Sequence, residues 1–163
     1  MSGAPVFKSA GAADVPALLA LQAAYYREDR YPFVESVARA VWERLLADGN
    51  LGRVWVVEIE QEPVGYVVLT LGYSLEHQGL DAFLDELYLR PEFRGQGLGR
   101  RAIAMAESAC AGLGVRALHL EVEEGKDEAL ALYRRFGFVD SGRILMTKRI
   151  GRTDSQQADT DPT

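Results

Sequence analysis

The stretch RPEFRGQGLGRR, Arg90 to Arg101, sets Gly95, Gly97 and Gly99 at alternate positions among four arginines. Inside regular structure each glycine costs roughly 0.5–1 kcal/mol relative to alanine, so three together need a cause. Either the backbone turns awkwardly here, or an anion must come very close to it. An apolar strand-like run enters the stretch and a helical pattern leaves it. The first turn of a helix leaves N–H groups unpaired and carries partial positive charge, which attracts phosphate. Glycines remove the Cβ atoms that would hold a pyrophosphate away, and Arg94, Arg100 and Arg101 can add charge-assisted bonds. A phosphate-bearing ligand accounts for the stretch better than a turn alone. Two familiar loops do not fit. A Walker A loop ends in G-K-[ST], whereas Gly99 is followed by Arg100 and Arg101. A dinucleotide fingerprint starting at Gly95 and Gly97 meets Arg100 where its third glycine belongs.

The surrounding elements follow from periodicity. Residues 4–9 read as a short strand. A helix follows, capped by Asp14, with Pro16 in its first turn and Val15, Leu18, Leu19 and Leu21 on its apolar side. Pro32 blocks its continuation through AYYREDRYPF. A second helix spans about 36–46. RVWVVEIE and VGYVVLTLGY are β-branched and aromatic runs forming a hairpin across QEP. FLDELYL is a strand leading into the glycine loop. From Gly97, Ala102, Ile103, Ala106, Cys110 and Leu113 recur at helical spacing until Gly112 and Gly114. ALHLEVE alternates as a strand, and Ala129, Leu132, Tyr133 and Phe136 mark a helix that Gly137 ends. RILMTKRI reads as a last strand, before a polar, disordered tail at 151–163. Strand, loop, helix, strand implies two parallel strands in one sheet, with the hairpin adding antiparallel ones. The fold class is a mixed α/β single domain over residues 1–150.

Length and composition agree with this. The 163 residues suit one core, and 48% apolar with 26% charged residues is ordinary for a globular chain. A net charge of −6 argues against nucleic acid as partner and permits a cationic one. Cys110 is the sole cysteine, which excludes an intrachain disulfide and a cysteine zinc cluster, and it reads as a small buried hydrophobe. His77 and His119 lack metal-ligand spacing, so no metal is expected and both read as structural or surface residues. No secretory signal or membrane-length apolar run is present, so the expected location is the cytoplasm, with no membrane partner.

LDELYLRPEFRGQGLGRRAIAMAE resembles the acetyl-CoA-binding motif of the GNAT superfamily of N-acetyltransferases. Its core, R/Q-x-x-G-x-G/A, is met by Arg94, Gly97 and Gly99. EALALYRRFGF, 128–138, resembles the family's second signature of alanine, leucine–tyrosine and glycine–phenylalanine. The likeness extends from about Phe7 to Ile150, and its specific part lies within 83–138. It implies a central mixed sheet, flanked by helices, whose parallel pair splays around acetyl-CoA.

The resemblance also implies site residues. Backbone amides of Arg94, Gly95, Gln96, Gly97, Leu98, Gly99 and Arg100 would hold the pyrophosphate of the acetyl donor, acetyl-CoA. Its pantetheine arm would lie along a bulged strand at Leu87, Tyr88 and Leu89, with LHLEVE opposite. A backbone N–H there could polarise the thioester. As side chains alone, Leu87 and Leu89 are ordinary core residues, and both readings hold together. Tyr133 matches the tyrosine that protonates the departing thiolate. Its reference pKa near 10 suits a proton donor, although the helix pattern alone makes it a core residue. Asp85 and Glu86, similar to an acidic pair in spermidine/spermine-type diamine acetyltransferases, are candidates to orient an ammonium or accept its proton, directly or through water. Without the resemblance they are solvated strand-end charges. Strand alternation sends them to opposite faces unless the bulge turns them. The family asparagine seven positions before the tyrosine is replaced by Lys126, which cannot accept a hydrogen bond.

The expected reaction is direct transfer of acetyl to a primary amine of a small molecule or peptide. Segments 25–36 and 72–83, carrying Glu28, Asp29, Glu35, Glu76 and Asp81, are expected to shape the acceptor site. A non-catalytic acyl-CoA sensor would use the same glycine loop, but has no need of Tyr133 or the acidic pair. The resemblance makes a homodimer an expected assembly.

Overall fold

Val6–Ser9 (β1) and the hairpin Gly52–Ile59 (β2) with Glu62–Ser74 (β3) form the antiparallel part of one sheet. The computed structural model of the chain describes residues 3–151; the expected polar tail lies outside them, apart from Gly151. Gly79–Leu89 (β4) pairs antiparallel with β3, and Ala117–His119 (β5) pairs parallel with β4, giving the order β1-β2-β3-β4-β5. The expected mixed α/β architecture is present. The β2–β3 connection turns at Glu60 and Gln61, both with positive φ, just before Pro63.

Alternation sends one face of the sheet to each of two cores. Val54, Val56, Tyr66 and Val68 pack with Val15, Leu18, Leu19 and Leu21 of helix α1 (Val15–Glu28) and with Trp42 of α2 (Glu35–Ala47). Val57, Val64, Val67, Leu69, Ala82 and Leu84 face the other way, onto Leu98, Ala102, Ile103, Ala106 and Cys110 of α3 (Leu98–Leu113). Cys110 is thus the small buried hydrophobe its position in the stripe predicts. The short helix α4 (Asp127–Arg135) adds Leu132 and Tyr133 to the edge of this second core.

Three local expectations change. Asp14 does not cap α1: its own backbone is helical, and it makes no cap bond there. Its carboxylate serves the preceding single turn, Ala12–Asp14, accepting from Gly11 N at 2.9 Å and Lys8 Nζ at 2.7 Å. The strand expected over ALHLEVE is paired for three residues only, because its ladder with β4 stops at Phe83 and His119. RILMTKRI forms no strand. Three-residue β5 offers little edge to pair with, and Ile144, Leu145, Met146 and Ile150 stay exposed.

Candidate active site

Beyond Phe83, β4 continues to Leu89 while β5 has already ended, so the parallel pair parts and a cleft of about 560 Å³ opens between them. Leu87, Tyr88 and Leu89 line one wall, and Glu121, Val122 and Glu123 line the opposite one. Tyr133 and Leu132 reach it from α4, and Tyr25, Glu28, Asp29 and Tyr31 reach it from the end of α1. The expected site residues Asp85, Glu86 and Tyr133 therefore share one cavity, and Arg94 stands at its wall.

The acidic pair owes its placement to a bulge. Val68 of β3 stands opposite Glu86, and the next residue, Leu69, stands opposite Leu84, so Asp85 has no partner. A bulge inserts one residue and reverses the alternation after it. Before it, Ala82 and Leu84 face the α3 core. After it, Leu87 and Leu89 do, and Tyr88 joins the α1 core. Glu86 is thereby turned toward α1, where Tyr26 Oη donates to its Oε1 and Tyr66 Oη to its Oε2, each at 2.7 Å. Burial raises the Glu86 carboxyl above its ordinary value, and the two phenol hydrogen bonds oppose that rise. Asp85 is exposed at the cleft, where partial desolvation raises it with no hydrogen bond in opposition.

Tyr133 is half-buried, its ring edge-on to Phe138 at 5.9 Å between centroids. Desolvation raises its phenol, so it is protonated at neutral pH. The same holds for Tyr26, pushed up to about 12 by burial and by its bond to Glu86.

The glycine loop presents an open backbone. Gly95 and Gly97 have φ of +73° and +80°, and a Cβ on either would meet nothing within 4 Å. Here glycine provides the left-handed backbone and leaves space outside it. Gly99 lies in α3, and a Cβ there would touch Leu132 of α4 at 3.9 Å. No side chain caps the start of α3, so its first amides remain available to an anion. These features fit the diphosphate of a coenzyme A thioester, as the unpaired edge of β4 fits its amide-bearing arm. The Arg94 side chain is directed elsewhere. Its Nη1 and Nη2 grip Glu28 at 2.5 and 2.9 Å, its Nε donates to Leu89 O at 2.8 Å, and its guanidinium lies 5.5 Å from the Tyr88 ring centroid. Arg100 is exposed beside the loop.

The cleft lining carries six carboxylates, Glu28, Asp29, Asp85, Glu86, Glu121 and Glu123, against the two cations Arg94 and Lys126. Lys126 Nζ stands 3.4 Å from Asp29 and 4.0 Å from Glu123, and Tyr31 Oη donates to Glu123. These contacts tie the end of α1 to the loop before α4. Segment 72–83 does not join them. Glu76 pairs with Arg143 at 2.7 Å, and Asp81 stands 3.4 Å from His119, beside a separate cavity on the far side of β5. Glu35 pairs within α2 with Arg39. The His77 and His119 rings lie 5.1 Å apart between centroids and tilted by 49°, and no group of three or more metal-ligating side chains occurs among the described residues. No helix among the described residues is long and apolar enough to cross a membrane.

Sequence reasoning missed Tyr66, and it missed the partners that Tyr26 and Glu28 hold. Tyr66 lies on a strand of uniformly apolar character, and Tyr26 and Glu28 lie in a helix end read only as an acceptor segment; no local pattern links any of them to Glu86 or Arg94.

Comparison with known proteins bears on this geometry. The family model described as Acetyltransferase (GNAT) family matches residues 16–138. Peptidyl-lysine N-acetyltransferase YjaB of Salmonella typhimurium is 31% identical over 115 residues, 69% of each chain. Thialysine N-epsilon-acetyltransferase of Bos taurus is 32% identical over 77 residues, which are 47% of this chain and 45% of that protein. The crystal structure of integron cassette protein HFX_CASS3, from the mobile metagenome of Cole Harbour Salt Marsh, superposes with a TM-score of 0.81 at 37% identity, covering 90% of this chain and 91% of that one. With a parted parallel pair, a glycine loop at the start of α3 and a family match across both, this chain belongs to the acetyltransferase (GNAT) family of acetyl-CoA-dependent enzymes.

Proposed function

We propose that the protein transfers the acetyl group of acetyl-CoA to a primary amine by direct attack of the amine on the thioester. The observation that carries this reading is the convergence of Tyr133, Asp85 and Glu86 on one acidic cleft, walled by the half of β4 that runs on past the end of β5 to the glycine loop. When bound, acetyl-CoA supplies an activated thioester carbonyl and a thiolate leaving group. The amides from Arg94 through Arg100 hold the pyrophosphate, and the backbone of Leu87, Tyr88 and Leu89 holds the arm. Six carboxylates against two cations favour an acceptor that arrives as an ammonium ion. Asp85 or Glu86 takes the ammonium proton, and the nitrogen keeps the electron pair that forms the new N–C bond. As the C–S bond breaks, Tyr133 gives its proton to the sulfur, and the second proton that the acylated nitrogen sheds restores the Tyr133 phenol. Cys110, buried among α3 side chains, is not placed to carry acetyl covalently.

The wider reading is a single acetyltransferase domain over residues 1–150 with a polar tail at 151–163, working in the cytoplasm as a candidate homodimer. Its acceptor is a small-molecule or peptide amine, and it uses neither metal, nucleic acid nor membrane. The acidic surface and the peptidyl-lysine and thialysine activities named for similar proteins support the amine. The test is thiol release from acetyl-CoA across polyamines, amino-sugar antibiotics, peptide amino termini, lysine and small metabolites. At least one class should turn over. Binding of acetyl-CoA with no turnover in any class would favour a sensor instead.

A further inference from the structure

Glu86 and Asp85 are neighbours in sequence with opposite surroundings. Both oxygens of Glu86 accept a phenol hydrogen, from Tyr26 of α1 and Tyr66 of β3. Tyr66 is itself fully buried and packs edge-on against Trp42 at 5.5 Å, and Trp42 Nε1 donates to Gln22 Oε1 at 2.8 Å. Tyr66 thus holds Glu86 from a fixed core position, and Tyr26 holds it from the half-buried C-terminal part of α1. Asp85, displaced by the bulge, has no such partner.

These environments select different chemistry. A protonated Glu86 would present an O–H toward a phenol that now donates to it. That phenol would have to rotate away or stay unpaired in a buried site, and either change disfavours protonation. Asp85 can take a proton with nothing to rearrange. We infer that Tyr26 and Tyr66 are positioning residues that hold Glu86 as a standing anion for the acceptor's ammonium group, leaving Asp85 as the proton acceptor. This assignment rests on the acetyl-transfer reading. In the step, one ammonium N–H bond breaks, its proton joins an Asp85 oxygen, and the nitrogen lone pair is released for attack.

The remaining groups around Glu86 do not supply an alternative clamp. Tyr25, Asp29 and Tyr31 stand on the α1 side, and Asp85 adjoins it on β4. Across the cleft are Glu121, Glu123, Lys126 and Tyr133, with Lys126 already beside Asp29 and Glu123. Arg94 is taken up by Glu28. Burial above all raises the Glu86 carboxyl, the two phenols oppose that rise, and the nearby Asp85 charge adds to it.

The first test needs no acceptor. Full-length protein carrying ¹³C-carboxyl glutamate and aspartate is titrated by NMR, with Glu86→Gln and Asp85→Asn assigning the two signals. Tyr26→Phe should raise the proton affinity of Glu86 about tenfold, since burial then acts against one phenol instead of two, and should leave Asp85 in place. Tyr66→Phe should do the same if it folds; Tyr26→Phe decides the matter if it does not. The second test uses the amine that turns over fastest in the screen. Tyr26→Phe should move the acid limb of kcat/KM to higher pH while the acid limb of kcat stays put, because Glu86 acts in binding. Glu86→Gln should chiefly raise KM, and Asp85→Asn should chiefly lower kcat. An unmoved Glu86 midpoint in an active Tyr26→Phe enzyme would overturn the clamp alone. A wild-type kcat in Asp85→Asn would overturn the division of roles. No turnover with any amine would instead sink the acetyl-transfer reading, and Asp85's assignment with it.

Discussion

Glu28 grips Arg94 through both guanidinium arms, at 2.5 and 2.9 Å, and so ties the last turn of α1 to the residue that opens the glycine loop. The arginine expected to face a pyrophosphate is committed within the protein. Arg94→Gln is therefore expected to weaken coenzyme A binding by less than about tenfold, or 1.4 kcal/mol, by calorimetry. A larger loss would show that the guanidinium leaves Glu28 for the phosphates.

The same pair has a pH signature. Arg94 holds the Glu28 carboxyl below its ordinary value. Stability from a depressed carboxylate is complete above its unfolded value, near 4.3, and is lost as pH falls through the lower folded value. Both partners are well exposed, so the pair is worth about 0–1 kcal/mol at neutral pH. Glu28→Gln should sit slightly below wild type in Tm at pH 7, and the gap should close in acid. A gap that widens as pH falls would contradict the pairing.

Gly97→Val tests the loop. With φ at +80°, a side chain there strains the backbone by about 1–2 kcal/mol and fills the space outside the loop. The variant should fold with a modestly lower Tm and lose the upward Tm shift that coenzyme A gives the wild type through mass action. An intact shift would remove the loop from the binding site.

Tyr133→Phe keeps the ring against Phe138 and deletes the proposed proton donor. Positioned acid catalysis contributes ~10²–10⁴-fold, so kcat should fall by that range while coenzyme A affinity holds. An unchanged kcat would mean that water or another group protonates the thiolate.

Gln22 is buried in α1, and its Oε1 accepts from the Trp42 indole at 2.8 Å, joining the two helices behind the cleft. Gln22→Leu leaves the indole N–H unsatisfied and should cost about 1–3 kcal/mol in urea unfolding at unchanged m. A neutral result would mean that the indole finds another acceptor.

What was legible in the sequence is what depends on neighbours along the chain. The stripe Ala102, Ile103, Ala106 and Cys110 gave α3 its buried face, and Gly97 gave its start. The β2–β3 hairpin followed from two β-branched runs. The convergence of Asp85, Glu86 and Tyr133 was readable only through a family resemblance, since spacing cannot say that two strands part. The phenols on Glu86 come from 60 and 20 residues away, and the grip of Glu28 on Arg94 spans 66, so no local pattern announces them. RILMTKRI was misread for a related reason: β-branched character fits a pleated surface but does not provide the neighbouring strand.

The unpaired residue at Asp85 sets which wall the end of β4 presents. Replacing Asp85 by alanine would keep every later residue on its present side, because the number of residues in the strand is unchanged. Deleting its codon would keep them too: Leu84 and Glu86 would follow one another in plain alternation, opposite the Leu69 and Val68 they already face. The walls exchange only if the strand keeps Asp85 and straightens, for Asp85 would then pair with Val68, Glu86 would turn into the α3 core and Leu87 toward the tyrosines. A deletion here removes one carboxylate, whereas ironing out the bulge rewires which wall the chemistry is on.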